Sequence, residues 1–370
     1  MGVVKLGDVA RESRLKWTKS KQDVPIVGLE HLIPDEIRFD AYDINTDNTF
    51  SKRFVKGQVL FGRRRAYQRK AAIAEFDGIC SGDITVIEAI EGKMVSELLP
   101  FIIQTPVFFD YANRGSAGSL SPRVKWEHLV DYEFELPSLE EQKVLADKLW
   151  AAYRLEEAYK KLLVATDEMV KSQFIEMFGN CKSQGTFSSL CATFIDGDWI
   201  ESKDQSDNGI RLIQTGNVGF GFFKGREDKS RYITEETFKK LNCTEVVPGD
   251  ILISRLPDPI GRACIVPEGI GKAITAVDCT IVRLNATLLP EFLISFSKTA
   301  LYASQINKIK TGTTRLRVSR GNLGNVIIPI PPIESQHRFA AIAQQADKSK
   351  FELKQCIEHI DKVIKSLING

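Results

Sequence analysis

Long apolar runs are missing from this chain. The best candidate, Leu98 to Phe109, is broken by Pro100, Gln104 and Pro106, well short of the ~18 apolar residues that cross a bilayer. An excess of either charge is missing too. Fifty Lys plus Arg stand against 48 Asp plus Glu, a formal net charge of +2, so affinity for a polyanion has to come from local clusters. The seven cysteines (Cys80, Cys181, Cys191, Cys243, Cys264, Cys279 and Cys356) include no CxxC pair and read as reduced thiols. The four histidines (His31, His128, His337 and His359) are scattered, and Cys356 with His359 offers two ligands where zinc takes four, so no metal is assigned. The start shows no apolar stretch ahead of a small-residue cleavage site, and a cytoplasmic location is expected.

Catalytic signatures are equally scarce. Gly269-Ile-Gly-Lys-Ala273 lacks the spacing and the Ser or Thr of a phosphate-binding loop, and after Gly219-Phe-Gly221 the third dinucleotide-binding glycine is replaced by Lys224. Pro331-Pro332 lies between Ile330 and Ile333, without the amide or acid before it and the aromatic after it that aminomethyltransferases use. Asp196, Asp198 and Asp258 read as turn residues. No catalytic residue is assigned, and no cofactor is expected in this chain.

What the chain does contain is a repeat. Its 370 residues, 43% hydrophobic and 26% charged, suit two globular domains. Gly57, Leu60 and Arg63 recur as Gly249, Leu252 and Arg255 at an offset of 192. Gly118, Arg123, Leu129, Pro137, Glu140 and Gln142 recur as Gly312, Arg317, Leu323, Pro331, Glu334 and Gln336 at an offset of 194. Each half begins with short β-rich runs (Val59 to Phe61, Ile84 to Ile87; Ile251 to Ile253, Thr280 to Leu284) and leaves through a proline-containing segment into a long stretch free of Pro and Gly, expected to be helix.

Ser138, ahead of Glu140 and Glu141, is placed to cap the first helix. Leu145, Leu149, Ala152, Leu155, Tyr159, Leu162, Thr166 and Met169 mark a stripe down it. Phe339, Ile342, Ala346, Ser349, Leu353, Ile357, Ile360, Ile364 and Leu367 mark one down the second. A period near 3.5 is coiled-coil spacing, and helices related by a pseudo-two-fold axis would run antiparallel and bury each other's stripes. The expected fold is therefore α+β: β-rich domains at residues 1–138 and 180–331, joined by long antiparallel helices at 139–178 and 332–370.

Positive charge collects locally. Arg63-Arg-Arg-Ala-Tyr-Gln-Arg-Lys70 holds five cations and no acid, and so does Asn307 to Arg320; the counterpart of the latter, Asn113 to Lys125, is also acid-free. Such loops suit phosphates, and their Arg, Gln and Asn suit base edges. The candidate DNA-contacting residues are Arg63, Arg64, Arg65, Tyr67, Arg69, Lys70 and Arg123 in the first half, and Arg255, Arg262, Lys310, Arg315 and Arg317 in the second.

The tandem plan resembles the specificity subunit (HsdS family) of type I restriction-modification enzymes. So do the helix entries Leu136-Pro-Ser-Leu-Glu-Glu-Gln142 and Pro329-Ile-Pro-Pro-Ile-Glu-Ser-Gln336, and Ser172-Gln-Phe-Ile-Glu-Met-Phe-Gly179 at the central helix end. The resemblance implies a non-catalytic reader of duplex DNA whose two target-recognition domains each take one half of a split site, with the helices setting the gap. It also implies two modification subunits using S-adenosylmethionine to methylate adenine, and restriction subunits using ATP and magnesium. A self-contained DNA methyltransferase or nuclease is the competing reading, and a protein scaffold binding acidic partners is another.

Overall fold

The computed structural model describes residues 2–118 and 121–369. The chain divides into two compact units, Met1–Tyr159 with Gln355–Gly370, and Lys160–Lys354. Among the described residues no helix is long and apolar enough to cross a membrane.

The units share one plan. The first builds an antiparallel four-stranded sheet in the order Ala10–Glu12, Ile84–Ala89, Val59–Gly62, Ala71–Ile73. The second orders Cys191–Asp196, Cys279–Leu284, Ile251–Ser254, Ala263–Ile265 in the same way. A smaller sheet in each starts from a parallel pair, Ile26–Val27 with Gly78–Cys80 and Ile210–Ile213 with Ala273–Thr275. The units differ at its edges. Lys52–Phe54 is a full strand beside Gly78–Cys80, whereas its counterpart is reduced to a bridge from Val246 to Ala273.

The repeated residues have defined backbone jobs. Gly57 and Gly249 adopt φ of 91° and 88°, which favours glycine, and their N–H groups donate to Ala74 and Val266 at 2.8 and 2.9 Å. Buried Gln58 and Asp250, one residue on, each accept from the backbone N–H three residues back, at 2.9 and 3.0 Å. Thr105 and Thr299 cap equivalent helices, Pro106–Arg114 and Ala300–Ile309.

The long helices span Leu139–Phe178 and Ile333–Asn369. At ~1.5 Å per residue the first measures roughly 60 Å. Ser138 and Glu141 form a reciprocal cap: Ser138 N–H and Oγ donate to the Glu141 carboxylate at 3.0 and 2.8 Å, holding that carboxyl below its usual range.

Within each unit a stretch of one helix runs antiparallel to a stretch of the other. In the first unit Leu145, Ile364, Leu367 and Ile368 pack on a core containing Phe101, Phe108, Leu149, Trp150 and Tyr153. In the second, Phe174, Phe178 and Phe339 form an aromatic cluster with Phe292, and Lys350 Nζ meets Asp167 at 2.8 Å. Phe339 is fully buried, and Ile342, Leu353, Ile357, Ile360 and Ile364 are partly so.

The stripe expected on the central helix needs a correction. Leu155, Leu162 and Met169 are exposed, and the inward positions are one residue later, at Glu156, Leu163 and Val170, with Tyr153 in place of Ala152 and Tyr159 partly buried. The reason is the helical period. Counting 3.6 residues forward from Leu149 reaches 153 and 156, and counting back from Phe174 reaches 170 and 163, whereas a strict 3.5 repeat drifts off the face.

Gln142 and Gln336 tie each helix entry to its own unit. Both are buried. Gln142 accepts from Val95 N–H at 2.8 Å and donates to Pro137 at 3.0 Å; Gln336 accepts from Leu289 N–H at 2.8 Å and donates to Thr287 and Pro331 at 2.9 Å. Gln336→Leu strands three backbone groups, that of Pro331 buried and the others partly so, and is expected to cost about 2 kcal/mol, read as a lower urea midpoint at unchanged slope.

Candidate nucleic-acid interface

In the first unit the strand Val59–Gly62 feeds the basic loop. Arg63 N–H donates to Asp83 C=O at 2.9 Å, and its own carbonyl accepts from Val124 N–H at 2.9 Å. Arg65 and Arg69 take left-handed backbone, φ 54° and 55°, around a single turn, Ala66–Gln68, anchored by buried Ala66. This geometry projects Arg65 and Tyr67 into solvent, and Arg65 has no side-chain partner among the described residues.

Of the loop's other cations, Arg64, Arg69 and Lys70 are engaged. Arg69 bonds Asp35 at 2.5 Å and lies over the Phe109 ring, and Lys70 Nζ donates to Leu29 C=O at 2.7 Å. Arg63 is partly buried, its Nε without a partner among the described residues. Arg64 and Arg123 share Asp83: Arg123 Nε bonds it at 2.7 Å, Arg64 reaches it at 3.4 Å, and Arg64 Nε also bonds Ser121 Oγ. Burial alone would raise the Asp83 carboxyl, but the two guanidinium groups outweigh it and hold the pKa below the usual range.

The second unit distributes its cations differently. Arg255 and Arg262, expected from the sequence to contact DNA, instead brace the interior of the unit. Arg262 is 7% exposed and donates to four carbonyls, of Val218, Leu256, Pro259 and Thr215, at 2.6 to 2.9 Å. The Arg255 side chain is 11% exposed, bonds the carbonyls of Val318 and Val277, and lies 3.3 Å from Asp196. The Arg262 donors and both terminal nitrogens of Arg255 are thus spent on the fold itself.

The free charge of this unit lies in the 307–320 segment. Thr311 and Arg317 exchange backbone bonds of 2.8 Å, closing a small loop, and Ala117 and Arg123 do the same in the first unit at 3.1 and 2.9 Å. Gly312 turns it at φ 108°, where a Cβ would sit 2.4 Å from Arg315 C=O. Thr313, Thr314, Arg315, Leu316 and Arg317 are exposed; Arg315 and Arg317 have no side-chain partner among the described residues, and Lys310 touches only Asn307, at 3.1 Å.

Several features escaped sequence reasoning. Asp83 lies 19 positions from Arg64 and 40 from Arg123, with no spacing signal linking them. Trp199 and Phe222 of the second unit are exposed aromatic surfaces of the kind on which bases stack; the hint available was the turn-forming Asp196-Gly-Asp198 before Trp199 and Gly219 and Gly221 before Phe222. Glu30, His31 and Asp43 bring potential ligand atoms within 4.8 Å of one another; His31 Nδ1 accepts from Gly28 N–H, making the imidazole part of a turn. All seven cysteines are unpaired, and burial pushes the Cys80 and Cys264 thiols up to about 12.

A family model described as "Type I restriction modification DNA specificity domain" matches residues 1–163 and again 190–362. Over 129 residues the chain is 26% identical to the type I restriction enzyme EcoDI specificity subunit of Escherichia coli, a match spanning 34% of this chain and 28% of that protein. Among solved structures, a type I restriction-modification S subunit from M. genitalium is similar at a TM-score of 0.61 and 11% identity, over 99% of this chain and 94% of the other. A chain from a study of type I restriction-modification assembly and conformational transition is similar at a TM-score of 0.60 and 17% identity, over 100% and 96%. At these identities the structural likeness speaks for the fold.

Proposed function

The chain belongs to the family of type I restriction-modification DNA specificity domains, and from that premise we propose that it is the specificity subunit of such a system. Each unit reads one half of a split duplex site, and the central and distal helices set the gap between the halves. The reading assigns methyl transfer to two modification subunits that bind S-adenosylmethionine, and ATP- and magnesium-dependent restriction to further partners.

One observation carries the proposal: the same fold and the same glycine, arginine and glutamine positions occur twice, while the solvent-facing loops at matching places differ. Arg65 and Tyr67 project from the first unit's loop after its central strand, whereas the second unit turns Arg255 and Arg262 inward there and exposes Arg315 and Arg317 elsewhere. A shared frame with divergent cationic loops suits two readers of different sequences, and exposed guanidinium groups supply both phosphate and base contacts.

Mapping methylated adenines in DNA from cells that carry this chain and its cognate modification subunits tests the proposal. The expected result is a split, asymmetric motif whose methylation is lost when the chain is deleted. Methyl transfer by the purified chain alone would overturn it in favour of a self-contained enzyme.

A further inference from the structure

The two units hold equivalent arginines differently. Arg123 and Arg317 occupy matching loop positions, each closing its loop through paired backbone bonds. Asp83 and Asp278 also match, since their carbonyls accept the N–H groups of Arg63 and Arg255, both at 2.9 Å. Yet Asp83 grips Arg123 through Nε at 2.7 Å and a terminal nitrogen at 3.5 Å, whereas Arg317 has no side-chain partner among the described residues.

That grip uses the Nε and Nη2 side of the Arg123 guanidinium and leaves its far edge, Nη1 and the outward N–H of Nη2, free to donate; the side chain is 47% exposed while Asp83 is 20% exposed. The free end is the edge that pairs with the two major-groove acceptors of guanine. A carboxylate behind the arginine also repels phosphates, which makes a held arginine a poor backbone anchor and a well-aimed base reader. An arginine already immobilised has less rotamer freedom to lose on binding. Arg64, 39% exposed, is held by the same carboxylate and by Ser121.

Resting on the function proposed above, we infer that Asp83 is a positioning residue that fixes Arg123, with Arg64 beside it, for reading a G·C pair in the half-site of the first unit. At the matching loop of the second unit Arg317 has no such partner among the described residues.

Selection from a randomised duplex library by the full chain, followed by sequencing, tests this with Asp83→Asn, Arg123→Lys and, as a control, Asp278→Asn. Asp83→Asn is expected to bind random duplex more tightly and with steeper salt dependence. It is also expected to lose about tenfold in discrimination at one G·C pair of one half-motif. Arg123→Lys should lose the same pair, and Asp278→Asn should enrich the wild-type motif. A purely structural role for Asp83 would instead weaken binding and blur both halves together, which overturns the inference, as does an unchanged motif from Arg123→Lys. A wild-type chain that enriches no motif sinks the proposed function itself, a failure distinct from a wild-type motif left unaltered by Asp83→Asn.

Discussion

Replacing Arg315 and Arg317 together by Ala is expected to lower affinity for duplex DNA about a hundredfold, at ~1.4 kcal/mol for each lost contact, while leaving stability within about 0.5 kcal/mol. Both side chains are exposed and have no partner among the described residues, so nothing in the fold depends on their charge. If each meets one phosphate, the slope of log affinity against log salt flattens by up to ~1.8. Fluorescence anisotropy over a salt series reads both effects. Undiminished affinity at every salt concentration would remove this loop from the interface.

Arg262→Ala should do the opposite: destabilise the second unit by about 4 kcal/mol, because four carbonyls lose a buried charged donor at once and no water takes its place without rearrangement. A denaturant titration that resolves the unit is the measurement, and any loss of DNA binding should track the fraction unfolded. A variant that folds normally but binds weakly would return Arg262 to the surface role its sequence context suggested. The contrast matters because the two kinds of arginine are adjacent in character along the chain. Arg262 follows Pro259 and Gly261 and Arg317 lies among Gly, Thr and Ser, both turn-like contexts, and only the three-dimensional arrangement of carbonyls separates them.

Other parts were legible beforehand for identifiable reasons. The long helices show because stretches of about forty residues without Pro or Gly, one opened by Ser138, have few alternatives. The repeat shows because its shared residues have backbone duties that few substitutes perform: left-handed turns at Gly57 and Gly249, and triple bonding by Gln336 at a helix entry. Strands of two or three residues, such as Ile26–Val27 and Tyr232–Ile233, carry too little alternation to be found. The slip at Leu155, Leu162 and Met169 arose from weighing apolar character over helical phase, although polar Glu156 occupies an inward position. The Asp83 clamp was invisible because it joins residues 40 positions apart.

The central claim is that two readers are held at a distance set by paired helices, and it is tested by changing that distance. Four residues inserted into each long helix, near 160 and near 354, add ~6 Å of helical rise, or between one and two base pairs at ~3.4 Å. The motif methylated by the lengthened chain with its modification subunits should keep both half-sites and gain one or two base pairs between them. The same half-sites at an unchanged gap, or a contiguous motif, would contradict the account.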